Sequence, residues 1–171
     1  MHWMLLPLKR YADFSGRSRR REYWMFFLGV ALFYFALILL MVLLFGSRLA
    51  AAINGEGAAA EGMTEIMLGF GVVGIVIALT WLLLLIPSIA VGVRRLHDID
   101  RSGWWLMVGY GPWLASLALT AAQWSDLAGI ADIVSNVGFL VLLVFAVMPG
   151  TAGSNRFGPD PKGEDLGEVF A

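Results

Sequence analysis

The chain has 171 residues, of which 59% are hydrophobic and 15% charged, with a formal net charge of −1 and no cysteine. A soluble domain averages about 25% charged residues, so a mean hydropathy of +0.76 excludes an ordinary water-facing globule and points to apolar surface turned towards lipid. The absence of cysteine excludes disulfides, thiolate metal sites and cysteine nucleophiles.

Residues 1–22 read as a basic, interfacial segment. In MHWMLLPLKRYADF the apolar run before Lys9 is too short for a signal-peptide core. Leu8, Tyr11 and Phe14 suit a membrane surface, with Lys9 and Arg10 reaching lipid phosphates. FSGRSRRREYW follows, with four arginines between Arg17 and Arg21 directly before an apolar run. Cations in a first turn oppose the helix dipole, but positive residues beside a span are retained on the cytoplasmic side. The first helix is therefore predicted over 23–45, starting inside. Residues 46–65, with Arg48, three glutamates and the tract GEGAAAEG, read as a mobile connection on the far side. The second helix is predicted over 66–93, roughly 40 Å long, bent near Pro87. Gly74 and Ala78 form a small-xxx-small pair suited to close helix contact.

The charged stretch RRLHDIDRSGWW then separates the second helix from a third, predicted over 104–121. GYGP, Gly109 to Pro112, predicts a bent or unwound turn facing neighbouring helices. The acidic loop QWSDLAGIAD leads to a fourth helix over 133–148, ended by Pro149 and Gly150. The tail, 149–171, is rich in turn formers and has no helical period. Eleven of the twelve basic residues fall on one side of this arrangement, Arg48 alone on the other. The positive-inside rule then gives an all-α membrane protein, four transmembrane helices in a bundle over 23–148, with both termini cytoplasmic.

The central loop holds the candidate site: Arg94, Arg95, His97, Asp98, Asp100, Arg101, Ser102, Trp104 and Trp105. Asp100 or Ser102 is placed to cap the third helix. With Arg94, Arg95 and Arg101 nearby, its start would suit a lipid phosphate or phosphorylated ligand. Trp104 and Trp105 fit an interfacial aromatic belt. The plainer reading is a short turn whose charges pair with one another and with lipid. The tail holds one arginine and one aromatic, Arg156 and Phe157, framed by turn residues. It is expected to fold back so that Arg156 pairs with Asp98 or Asp100 and Phe157 packs near the helix ends, with residues beyond Pro161 loose.

FSGRSRRREYW, VRRLHDIDRSGWW and PGTAGSNRFGPDP, in that order among four spans, resemble the domain-of-unknown-function 805 family. The resemblance runs from about Ala12 to Pro161. It implies a small bacterial inner-membrane protein and brings no established reaction or ligand. The long first loop and the tail beyond Pro161 are not part of the pattern.

Enzyme chemistry finds little support. His97 and Asp98 adjoin, but a metal-dependent hydrolase needs several more ligands, and only His2 remains. Ser102 and Ser154 are unmarked as nucleophiles, and phosphate-loop and dinucleotide fingerprints are absent. No catalytic, cofactor or metal-binding residue is therefore expected, and the arginines beside a span do not imply nucleic acid. The four predicted spans contain no ionisable residue, which argues against an ion pathway. The expected function is a non-catalytic, cytoplasmic-face surface for interaction or anionic-lipid binding. Its partners would be anionic headgroups, with a protein partner or a second copy. Two alternatives are a small transporter or oligomeric pore built on the broken GYGP turn, and a lipid-linked enzyme using His97 and Asp98.

Overall fold

The computed structural model describes residues 2–54 and 59–163, and its regular elements there are helical. In chain order they are α1 (His2–Lys9), α2 (Arg20–Ile53), α3 (Ala59–Asp98), a 3-10 turn (Gly103–Leu106), α4 (Met107–Ala121) and α5 (Ser125–Val147). The stretches Arg20–Ala51, Ile66–Asp98 and Ser125–Val147 are each long and apolar enough to cross a membrane. Large side chains such as Phe35, Leu43, Met67, Leu83 and Leu140 stand exposed along them. A helix apolar on its outer face is built for lipid.

The long helices absorb most of the predicted first loop. With 34 and 40 residues, α2 and α3 are about 51 and 60 Å long at 1.5 Å per residue. Gly46 does not stop α2, because a single glycine costs about 1 kcal/mol against alanine and Leu49, Ala50 and Ala51 carry the helix onward. The expectation of a mobile loop over 46–65 is thus corrected; residues 55–58 of the GEGAAAEG tract lie outside the described residues. Gly74 and Ala78 are exposed, with open space where a Gly74 side chain would stand, so the small pair makes no helix contact within the chain. α2 and α3 meet instead where Phe45 lies against Gly69 and where Glu22 reaches Arg94.

The prolines inside α3 and α4 each leave a carbonyl without its helical donor, and neither unwinds its helix. Pro87 frees the Leu83 oxygen, which accepts a hydrogen bond of 2.7 Å from the Tyr11 hydroxyl just beyond α1. Tyr11→Phe should therefore lower thermal stability by about 0.5–1.5 kcal/mol, the net contribution of a typical hydrogen bond. A melting temperature in detergent equal to that of the parent would contradict this role. Pro112 frees the Val108 oxygen. α4 is nevertheless helical from Met107 to Ala121, so of the bent or unwound turn expected at Gly109–Pro112 the unwinding is corrected, while the expectation that the break faces a neighbouring helix holds. The freed oxygen faces Gly138 of α5, so closely that a methyl group there would collide with it. Ser135 Oγ donates to the Gly109 oxygen at 3.0 Å, and Tyr110 meets Phe139 edge-to-face at 5.1 Å. The defect is covered by close approach of α4 and α5.

The predicted third helix divides into the 3-10 turn and α4, whose 15 residues span about 22 Å. α5 begins at Ser125, eight residues before 133, because Gln123 turns the chain at φ 63° and Asp126 suits a first turn. Asp126 and Asp132 therefore stand on the helix, exposed, within its first eight residues. The expectation that this span lacks ionisable residues is corrected accordingly.

Candidate functional site: a buried ionic cluster

α3 does not end at Val93 but runs on to Asp98, and those extra residues decide the fate of the central charges. Continued helix carries Arg94, Arg95 and Asp98 inward, against the start of α2, the end of α5 and the tail. Arg94 and Arg95 are 0% and 2% exposed, and Arg17, Glu22 and Asp98 are buried with them. Asp98 is shared: Arg17 approaches one carboxylate oxygen at 3.0 Å and Arg95 the other at 2.5 Å. Arg94 pairs with Glu22 at 3.1 Å and donates to the Asp13 carbonyl at 2.6 Å. Buried charge is tolerated only when paired and hydrogen-bonded.

Three buried arginines face two buried acids, and backbone oxygens take up the difference. Arg95 Nε donates to the Ala146 carbonyl at 3.1 Å and its Nη2 to Met148; Arg20 donates to Val147 at 3.2 Å. These are oxygens at the C-terminal end of α5, which a helix leaves without internal donors. Cations from α3 and α2 thus cap a third helix at its negative end. The end of α3 is capped in return. Ser18 N donates to the Arg94 oxygen at 3.0 Å, and Thr151 donates to the Asp98 oxygen through N and Oγ1 at 2.8 and 3.1 Å. Asn155 Nδ2 donates to the His97 oxygen at 2.9 Å. Arg17 closes the ring with two bonds of 2.6 Å to the Thr151 and Gly153 carbonyls. Gly150 is required here, because a methyl group would strike the Asp98 carboxylate.

The tail lies on this platform. Phe157 stacks on His97 with centroids 3.8 Å apart and planes 4° from parallel, while His97 Nδ1 bonds the Gly16 carbonyl at 3.1 Å. Arg156 pairs with Asp100 at 3.1 Å and donates to its carbonyl. Asp98, already saturated by Arg17 and Arg95, is not its partner. The Arg156–Asp100 pair is largely exposed and adds about 0–1 kcal/mol; the buried bonds hold the tail. Residues 164–171, most of the stretch expected to be loose, lie outside the described residues.

Several sequence expectations change here. Arg94 and Arg95 do not join Arg101 in an anion site at a helix start, because both are buried against carboxylates and carbonyls. Arg101 remains exposed over the Trp105 ring at 5.6 Å. Trp104 is 80% exposed, and Trp105 meets Phe145 edge-to-face at 5.3 Å. Ser102 precedes the 3-10 turn but makes no side-chain cap bond, and Asp100, at φ 58°, is engaged with Arg156. The sequence presents Arg17 with its arginine block as a topology signal, not as a buried partner of Asp98, and gives Glu22 and Thr151 no individual role. Glu22 carried a signal, as the lone acid in an arginine-rich block. Outside the cluster, bonds from Ser15 and Arg10 hold the Asp13 carboxyl well below the usual carboxylate range. Among the described residues no group of three or more metal-ligating side chains comes together.

All three sequence blocks singled out above converge on this cluster. A family model described as "Protein of unknown function (DUF805)" matches residues 11–159, from Tyr11 through the docked tail to Pro159. The chain belongs to this family. Among its DUF805 relatives, inner membrane protein YhaH of Escherichia coli K12 is 35% identical over 165 residues, covering 95% of this chain and 98% of that one. Inner membrane protein YhaI of the same organism is 34% identical over 163 residues, covering 95% and 97%. A more distant relative, uncharacterized protein YiiR of E. coli K12, is 26% identical over 154 residues, covering 86% and 85%. No solved structure matches significantly. With three membrane-length helices and inner-membrane relatives, this DUF805 chain is a transmembrane protein.

Proposed function

We propose that this DUF805 protein is a non-catalytic, four-span inner-membrane protein. In this reading both termini are cytoplasmic, and the clustered end is a preformed docking surface for anionic headgroups or a protein partner. The observation that carries the proposal is the buried Arg17–Asp98–Arg95 ring, which ties α2, α3, α5 and the tail into one unit. Such a unit presents the exposed Arg101, Trp104, Arg20 and Arg21 in fixed positions. Basic residues beside interfacial tryptophans suit anionic lipid. The fourth crossing would be the 3-10 turn plus α4, about 8 and 22 Å, together matching a core of about 30 Å. The geometry at His97 also argues against catalysis, since its Nδ1 and one ring face are occupied by Gly16 and Phe157.

A reporter active only outside the cytoplasm should be silent when fused after Ala171 and active when inserted at 55–58. The opposite pattern would overturn the orientation. Native mass spectrometry from mild detergent should retain anionic lipids or a partner chain with the protein. Release of a bare chain, with no preference among headgroups, would refute the docking role.

A further inference from the structure

Between the helices lies a cavity of about 150 Å³ that no tail residue lines. Residues of α2, α3, α4 and α5 enclose it, among them Tyr23, Phe27, Arg95, Tyr110, Phe139 and Phe145. We infer that this cavity binds the head of a neutral quinone, a single ring carrying two carbonyl oxygens.

Size sets the first limit, since a cavity of about 150 Å³ admits one benzene ring. Aromatic side chains form much of the wall and hold one another in place. Tyr23 packs on Phe27 with centroids 4.7 Å apart, and Tyr110 meets Phe139 at 5.1 Å. Such walls favour a flat guest, which gains stacking and edge contacts at ring spacing. The polar groups set the second limit. Each nitrogen of Arg95 already has an acceptor: Nε donates to the Ala146 carbonyl, Nη1 to Asp98 and Nη2 to the Met148 carbonyl. Ser88 Oγ, also in the lining, donates to the Leu84 carbonyl at 2.6 Å. The phenol hydroxyls of Tyr23 and Tyr110 differ, for among the described residues neither has a hydrogen-bond partner. A hydroxyl in a largely apolar cavity gains from an acceptor. Two phenol donors, one from α2 and one from α4, suit a guest with two acceptors, and the carbonyl oxygens of a quinone supply them without bringing charge. An anionic head suits the cavity less. Arg95 is committed to Asp98, so the anion would enter without a counter-ion of its own. Access is from the lipid side: Ile89, Tyr110 and Leu143 belong to the lining and stand partly exposed on the outer surface. A head seated here leaves its apolar tail in the bilayer. This site is separate from the docking surface proposed above and does not depend on its orientation or partners.

Calorimetric titration of the full chain in uncharged detergent tests this, after subtraction of partition into protein-free micelles. Duroquinone is the probe, and durene, the same tetramethyl ring without oxygens, is the control. Saturable one-to-one binding of duroquinone is expected, with durene about tenfold weaker or more. Tyr23→Phe and Tyr110→Phe should each weaken duroquinone about fivefold, the size of one hydrogen bond, and leave durene within about twofold. The double variant should bring the two ligands level. Neither hydroxyl has a partner in the protein, so both variants should melt with the parent when no ligand is present. Four results would each overturn the assignment. They are no saturable duroquinone binding, durene bound as tightly as duroquinone, no loss in either tyrosine variant, or a variant that melts early because its hydroxyl is already engaged. Retention of anionic lipid in native mass spectrometry is indifferent to all four.

Discussion

Asp98→Ala should destabilise the protein by about 3–5 kcal/mol, the range seen when one partner of a buried ion pair is removed. Asp98 is the acid between Arg17 and Arg95, so its loss leaves two buried guanidinium groups without a counter-ion. Their remaining bonds go to carbonyls, which orient a cation but carry no net charge. Asp98→Asn keeps the shape and should fall between parent and alanine variant. Pairing Asp98→Ala with Arg17→Met and Arg95→Met should recover much of the loss, because an apolar replacement of a buried ion group is often neutral or better. The Glu22–Arg94 pair has its own partners, but Arg94 adjoins Arg95 in the same buried cluster, so the two disruptions should combine non-additively. Thermal unfolding in detergent measures all of this. A change under about 0.5 kcal/mol for Asp98→Ala, within the range of an ordinary surface substitution, would sink the structural role given to the ring.

The outcome bears on what could be read from the residues. The apolar runs were legible because lipid imposes a length and a composition that little else imitates. Helix ends were not, because their caps come from elsewhere in the chain. Nothing local to VRRLHD says that Thr151 and Asn155 will cap it, or that Arg95 will cap the end of α5. Counting basic residues for orientation treats all arginines alike. Glu22 and Asp98 determine which of them turn inward, and so Arg94 and Arg95 were placed at the headgroup surface when they lie in the interior. Prolines misled in a related way. Pro112 signalled a bent or unwound turn facing a neighbouring helix; the break does face one, but Gly138 and Ser135, more than twenty residues on, cover the defect without unwinding. The tail was legible in part, since Arg156, Phe157 and the surrounding turn residues suggested a return to the central loop. Its main anchors are the Thr151 side chain and the carbonyl oxygens of Thr151 and Gly153. Backbone oxygens have no signature in a sequence.

Truncation after Gly150 should therefore cost far more than the exposed Arg156–Asp100 pair could account for. It removes both tail carbonyls that hold Arg17, the Thr151 and Asn155 donors at the end of α3, and the ring stacked on His97. A hydrogen bond to a charged group contributes about 1.5–3 kcal/mol. Water entering the opened site replaces part of that, so about 3 kcal/mol is the expected loss in thermal unfolding. Arg156→Ala, acting on a pair 61% and 48% exposed, should cost about 0–1 kcal/mol. The two differ in a second way. With the tail in place Arg17 is buried; without it, the peptide bond after Arg17 should become an early trypsin site, whereas Arg156→Ala leaves that bond protected. A truncated chain with the parent's melting temperature and cleavage pattern would mean that the tail rests on the cluster without supporting it. The ring would then be held by the helices alone, and Arg17 would need no partner beyond Asp98.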